Sequence, residues 1–175
     1  MRLATILAWI TCCLVGGVSA APFAKPVYPI PVPEPVMNKC IGIAAQTYNI
    51  EPTVLRALQA QEGGKIGTIS RNDNGSFDLG PMQINTINLP EIKRAFPFLS
   101  WRHIVYEPCI NIMIGAWFLR KKIDNRNGNV WEGVGDYHSR TPAKRIIYLR
   151  SFLAHYSKMD ERYGNTPPKM LTASN

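Results

Sequence analysis

The chain has 175 residues, with 20 Lys and Arg against 12 Asp and Glu and a formal charge of +8. That length supports one compact domain and excludes a second. The basic balance suits an anionic polymer, a membrane surface or nucleic acid, and selects none of them.

Residues 1–20 read as an export signal. Met1-Arg2 is a short positive start, Leu3 to Val15 is apolar apart from Thr5 and Thr11, and Val18-Ser19-Ala20 offers small residues before a cleavage point at Ala20-Ala21. The apolar run, roughly 13 residues, is short of the about 20 that span a bilayer. Trp9, Ile10 and Thr11 ahead of Cys12 and Cys13 do not make a lipidation motif. Cleavage removes Arg2 alone among the charges, so the +8 of the whole chain becomes +7 for the mature part. Of four cysteines it leaves Cys40 and Cys109. An even count in an oxidising compartment favours one disulfide over two buried thiols.

Residues 21–35 hold six prolines, at 22, 26, 29, 31, 33 and 35, and predict an extended leader with neither helix nor central strand. The folded domain is expected over 36–160, followed by a loose tail over 161–175 that contains Pro167-Pro168. Helical spacing dominates between leader and tail. Met37, Cys40, Ile41, Ala44 and Tyr48 share one face of a first helix. A second begins at Pro52, carries Val54, Leu55, Leu58 and Glu62, and ends at Gly63-Gly64. Residues 65–90 are rich in turn formers, with Ile66, Ile69, Phe77, Leu79, Met82 and Ile84 as apolar anchors, and predict loops with a small hairpin. Helix returns over Glu91–Phe96. The strongest helical signal starts at Pro108 and runs to Asn127-Gly128, apolar almost all round and therefore expected at the centre of the domain. A short helix follows over Val130–Tyr137. A basic amphipathic one follows from Pro142 to about Lys158, with Ile146, Leu149, Leu153 and Tyr156 inward. The fold class is mainly α: a single helical domain with a loop-rich insertion forming one side of a cleft.

Leu55, Leu58 and Glu62 fall on one stripe of the second helix, so the carboxyl of Glu62 is expected to be partly desolvated. Desolvation disfavours the charged form and raises the pKa, as a general acid near neutral pH requires. Gln83 and Asn85 offer amides suited to sugar hydroxyl and N-acetyl groups, and Met82 offers a soft contact surface. Trp101, Tyr106, Trp131 and Tyr137 are candidate aromatic faces, whereas Trp117 reads as core. His103, His138 and His155 lack metal-ligand spacing, so no metal is expected.

Several motifs then occur in order: Leu58-Gln59-Ala60-Gln61-Glu62, the run from Asn74-Gly75-Ser76 through Asp78-Leu79-Gly80-Pro81-Met82-Gln83-Ile84-Asn85, Pro108-Cys109-Ile110-Asn111, Gly115-Ala116-Trp117 and Gly133-Val134-Gly135-Asp136-Tyr137-His138. Over about residues 38–156 the chain resembles the soluble lytic transglycosylases, lysozyme-like in fold. It is most similar to the small members that accompany conjugation, type IV and type III secretion and pilus systems. The resemblance implies an exported, periplasmic enzyme without cofactor. It would cleave the bond between N-acetylmuramic acid and N-acetylglucosamine in peptidoglycan and leave 1,6-anhydromuramic ends, with no nucleic acid as partner. It makes Glu62 the single catalytic residue and makes Met82 and Gln83 cleft residues. Tyr137 would position the carboxylate or the muramic acid, and Cys40 with Cys109 would be the cysteine pair of the small secreted members. Asn85 and His138 join the expected contacts to substrate.

Three positions depart from the family pattern. Gly63 stands where a serine usually follows the glutamate, Pro81 replaces a leucine, and Asp136-Tyr137-His138 replaces Ala-Tyr-Asn. Asp78, Glu91 and Asp136 are candidates for a second carboxylate, which a hydrolysing muramidase would use. A wall-binding scaffold without activity is the more distant alternative.

Overall fold

The computed structural model describes residues 28–163. The export signal and the last twelve residues of the tail lie outside them. Proline in the first turn opens α1 (Glu34–Tyr48), α2 (Pro52–Glu62), α3 (Leu89–Ala95) and α5 (Pro108–Asp124), where its missing N–H would have no partner within the helix anyway. α4 (Trp101–Tyr106), α6 (Val130–His138) and α7 (Pro142–Tyr163) complete the helices. Between α2 and α3 lies an antiparallel sheet, β1 (Ile69–Arg71), β2 (Phe77–Leu79) and β3 (Ile84–Asn85), in that spatial order. Its register pairs Ser70 with Asp78 and Asp78 with Asn85 across the two ladders. A single 3-10 turn, Thr86–Asn88, leads into α3.

α5 is the axis of the fold, as its apolar character predicts. Ile112, Ile114, Ala116, Phe118, Leu119 and Ile123 are all buried on it. α1 and α6 pack on α5, and α7 packs on α2 and α6. The disulfide Cys40–Cys109 ties α1 to the first turn of α5, with the Cα atoms 4.7 Å apart at a sequence separation of 69. The loop it closes contains α2, the whole sheet, α3 and α4.

Several sequence expectations change. The hairpin is a three-stranded sheet, and Ile69 and Phe77 are exposed on it where anchors were expected. α4 has no counterpart in the predicted elements. The described end of the leader is docked: Ile30 exchanges two backbone hydrogen bonds with Ile66, at 3.0 and 2.9 Å. On α7, Leu149 and Tyr156 pack against the core as expected, and Ile146 and Leu153 do not. Ile146 and Leu153 are 51% and 47% exposed, while Tyr148 and Phe152 are buried. The inward face runs through Arg145, Tyr148, Leu149, Phe152, Tyr156 and Met159, so the polar-headed Arg145 and Tyr148 take places that a hydropathy pattern assigns to aliphatic side chains. The helix also continues through Tyr163, where the tail was expected, and the Tyr163 hydroxyl donates to Glu34 at 2.7 Å.

Candidate active site

Glu62 is the last residue of α2. Gly63 follows in the left-handed conformation, φ 65°, and returns its N–H to the Gln59 carbonyl at 2.9 Å. This glycine cap ends the helix with the carboxyl of Glu62 aimed off its end. The carboxyl is held between α7 and β2. Burial pushes its pKa up from 4.5, a hydrogen bond from the Tyr148 hydroxyl opposes that, and the charge of Asp78 adds to it, giving about 7. The bond from Tyr148 to Glu62 Oε1 is 2.5 Å long. Burial and the facing carboxylate push the Tyr148 phenol well above its ordinary range, so the phenol remains a donor. The ring of His138 lies flat on that of Tyr148, 4.6 Å between centroids and 3° from parallel.

The sheet supplies the opposite wall. Asn72 and Asn85 donate to the two oxygens of Asp78 at 3.0 and 2.8 Å, and both also donate to the Ser76 hydroxyl at 3.1 and 3.0 Å. Ser76 in turn donates to Asn74 Oδ1 at 2.7 Å. A turn with Gly75 at φ 81° brings these side chains together. Glu62, Asn72, Asn74, Asp78, Gln83 and Asn85 line one cleft of about 440 Å³, closed on the other side by Phe118, Lys122, Tyr137, His138 and Lys144.

A buried asparagine on the central helix sets the depth of that cleft. Asn111 donates to the carbonyls of Leu79 and Ile104, each at 2.9 Å, and accepts the Met82 N–H at 2.6 Å. The turn from Gly80 to Gln83 is thereby clamped onto α5. Gly64 lies flush against the same turn, where a Cβ would come within 2.1 Å of the Gly80 carbonyl oxygen. α2 and the turn can approach this closely only with glycine there.

Of the residues expected at the site, Glu62, Gln83, Asn85, Tyr137 and His138 line the cleft. Met82 does not. Its side chain is fully buried, and a Cβ on Gly115 would lie 2.9 Å from it, so Met82 fills the gap that this glycine leaves in α5. Gln83 sits at φ 48° and folds its amide back onto the Gly80 carbonyl at 2.8 Å. The Tyr137 hydroxyl donates to the Met82 carbonyl at 3.2 Å, and Tyr148 takes the contact to the carboxyl for which Tyr137 was a candidate. Asp136 is a buried ion-pair partner, bound by Arg126 at 2.7 and 3.0 Å and by Arg145 at 3.4 Å. Those guanidinium groups, Arg126 first, hold its pKa below the ordinary value. Glu91 pairs with Lys121 away from the cleft. Asp78 is therefore the one of the three candidate second carboxylates that shares the cleft with Glu62. Among the described residues no three His, Cys, Asp or Glu side chains gather to hold a metal ion.

Residues 39–145 match the family model described as "Transglycosylase SLT domain". The chain belongs to the transglycosylase SLT family. Among its relatives are the proteins named "Invasion protein IagB" of Salmonella typhi and of Salmonella typhimurium. The first is 33% identical over 134 residues, 74% of this chain and 82% of the relative. The second is 37% identical over 121 residues, 66% and 74%. "Protein IpgF" of Shigella flexneri is 30% identical over 125 residues, 69% and 80%.

Two features of this SLT domain follow from its own geometry. Gly63 occupies a left-handed cap with no atom within 4 Å of a Cβ built on it. A serine would fit the space and would be strained by the backbone, which accounts for glycine beside the acid. Tyr148, the partner of Glu62, lies just past the matched residues 39–145. The signal that could have found it is its spacing on α7 with Phe152 and Tyr156, a stripe of aromatic rings rather than aliphatic side chains.

Proposed function

We propose that this protein is a lytic transglycosylase of peptidoglycan in which Glu62 is the only residue that moves protons. The observation that carries the reading is the carboxyl itself. It is half-buried in the cleft wall, held by Tyr148, and shifted to about 7, so a large fraction is protonated at neutral pH. Glu62 gives its proton to the glycosidic oxygen as the bond from C1 of N-acetylmuramic acid breaks, and the N-acetylglucosamine leaves as the free alcohol. The N-acetyl group of the muramic acid supports the cationic C1. Glu62, now a carboxylate, takes the proton of the C6 hydroxyl as that oxygen bonds to C1. The product carries a 1,6-anhydro end, no water is consumed, and the acid is restored. Gln83, Asn85 and His138 contact the sugars, and Tyr137 acts through the Met82 carbonyl to hold the turn that bears Gln83.

A second reading, hydrolysis, is favoured by one observation: Asp78 faces the same cleft and acts on Glu62 through its charge. Two carboxylates across a glycosidic bond are the usual arrangement for adding water. Digestion of purified sacculi separates the two. Anhydro ends and no incorporation from isotopically labelled water support the transglycosylase. Reducing ends that carry the label support hydrolysis. Glu62→Gln releases neither product under either reading, and clearing of sacculi by that variant would refute the assignment of Glu62.

Peptidoglycan as substrate implies work outside the cytoplasm, which agrees with an export signal over residues 1–20. The relatives named for invasion support a local role, opening the wall beside an envelope-crossing secretion or transfer machine.

A further inference from the structure

The two walls of the cleft differ in chemistry beyond what neutral sugars need. Asn72, Asn74, Asn85 and Asn88 line one side around Asp78, whose two oxygens are already bound by Asn72 and Asn85, and amides suffice for hydroxyl and N-acetyl groups. Lys122 from α5 and Lys144 from α7 line the other. Four nearby cations have partners: Lys121 pairs with Glu91, Arg120 with Asp124, and Arg126 and Arg145 with Asp136. Among the described residues neither Lys122 nor Lys144 has a carboxylate within ion-pair distance. Lys122 is half-buried; burial, Arg140 and Lys121 disfavour its charge, and Asp136 opposes them only in part, so the net effect lowers its pKa. An anion entering the cleft relieves that repulsion, whereas an uncharged sugar does not.

Resting on the glycan reading above, we infer that Lys122 and Lys144 form an anion subsite for a carboxylate carried on the lactyl arm of the muramic acid. Two sources share that chemistry: the acidic stem peptide, or the free lactyl carboxylate of a strand that has lost its stem. The subsite makes the protein discriminate peptidoglycan from chitin, which has the same backbone bond and no carboxylate.

Binding is measured with the Glu62→Gln protein, which leaves the strands uncut, with and without Lys122→Gln/Lys144→Gln. The ligands are soluble strands with intact stems, strands stripped by an amidase, strands with amidated stem carboxylates, and chitin oligosaccharides. Neutralising both lysines weakens binding of carboxylate-bearing strands about tenfold at low salt and flattens its salt dependence. Lys122→Arg/Lys144→Arg retains the affinity. A loss confined to intact stems assigns the stem peptide, and a loss that persists after amidase treatment assigns the lactyl carboxylate. A double variant that binds every ligand as tightly as the protein with both lysines overturns the inference, and so does an equal loss on chitin oligosaccharides. Lysine-dependent binding by a wild-type protein that releases no product retains the subsite and refutes the enzymatic reading. Cleavage with an unchanged KM in the double variant does the reverse.

Discussion

Replacing Glu62 with glutamine leaves the shape of the side chain and removes its titration, so the variant isolates the energetic consequence of burying this carboxyl. In the folded protein the group holds its proton up to about pH 7, against 4.5 for an ordinary glutamate. Between those values the folded state binds more protons than the unfolded state. Stability therefore falls as pH rises through the window and is constant above it. The distance between 4.5 and about 7 corresponds to about 3 kcal/mol at most. Urea unfolding of wild type and Glu62→Gln at a series of pH values from 4 to 9 reads this directly, because the other titrating groups are common to both. Wild type is expected to lose stability relative to the variant from about pH 4.5 to about pH 7, and then to run parallel to it. Curves parallel throughout would refute the burial argument, and with it the physical reason for an acid that works near neutrality.

Tyr148→Phe removes the donor that favours the charged carboxylate, so Glu62 should keep its proton to still higher pH. The alkaline limb of the activity profile is expected to move upward, while kcat falls about tenfold for want of a fixed carboxyl orientation. Asn111→Ala strands the Leu79 and Ile104 carbonyls and the Met82 N–H in the core. Chemical denaturation should report a loss of about 2–4 kcal/mol, with activity falling as the turn loosens. Reduction of Cys40–Cys109, or Cys40→Ala, reopens a loop whose ends are separated by 69 in sequence. The expected cost is about 4 kcal/mol, measured as the shift in urea midpoint with and without reductant.

The placement of Glu62 was legible because three independent signals met there: an apolar stripe, a proline start and a glycine end. The central position of α5 was legible for a similar reason, since a helix without a polar face has nowhere else to go. Met82 was misread because a motif neighbour of a cleft residue need not face the cleft; Gly115 opens the space that draws it into the core. Tyr148 was missed because isoleucine and leucine dominated the reading of α7. There the buried face is built from aromatic rings and an arginine stem, whose polar heads lower their apparent hydropathy. α4 was missed because six residues are too few for periodicity to register. Its start is marked instead by Ser100 and His103, which cap the helix reciprocally. Asn111 stands within the Pro108-Cys109-Ile110-Asn111 motif, but a lone amide on an apolar helix does not reveal which backbone it will hold.

The pairing of Glu62 with Tyr148 joins positions 86 apart in sequence. On a chain that emerges from its amino-terminal end, the acid appears first and its partner only with the final helix. Until α7 docks on α2, the end of α2 has no hydroxyl against it and the cleft lacks Lys144 and the aromatic face behind His138. The last described element to be made is thus the one that completes the surroundings of a much earlier carboxyl, and an interrupted product carries the glutamate without its setting.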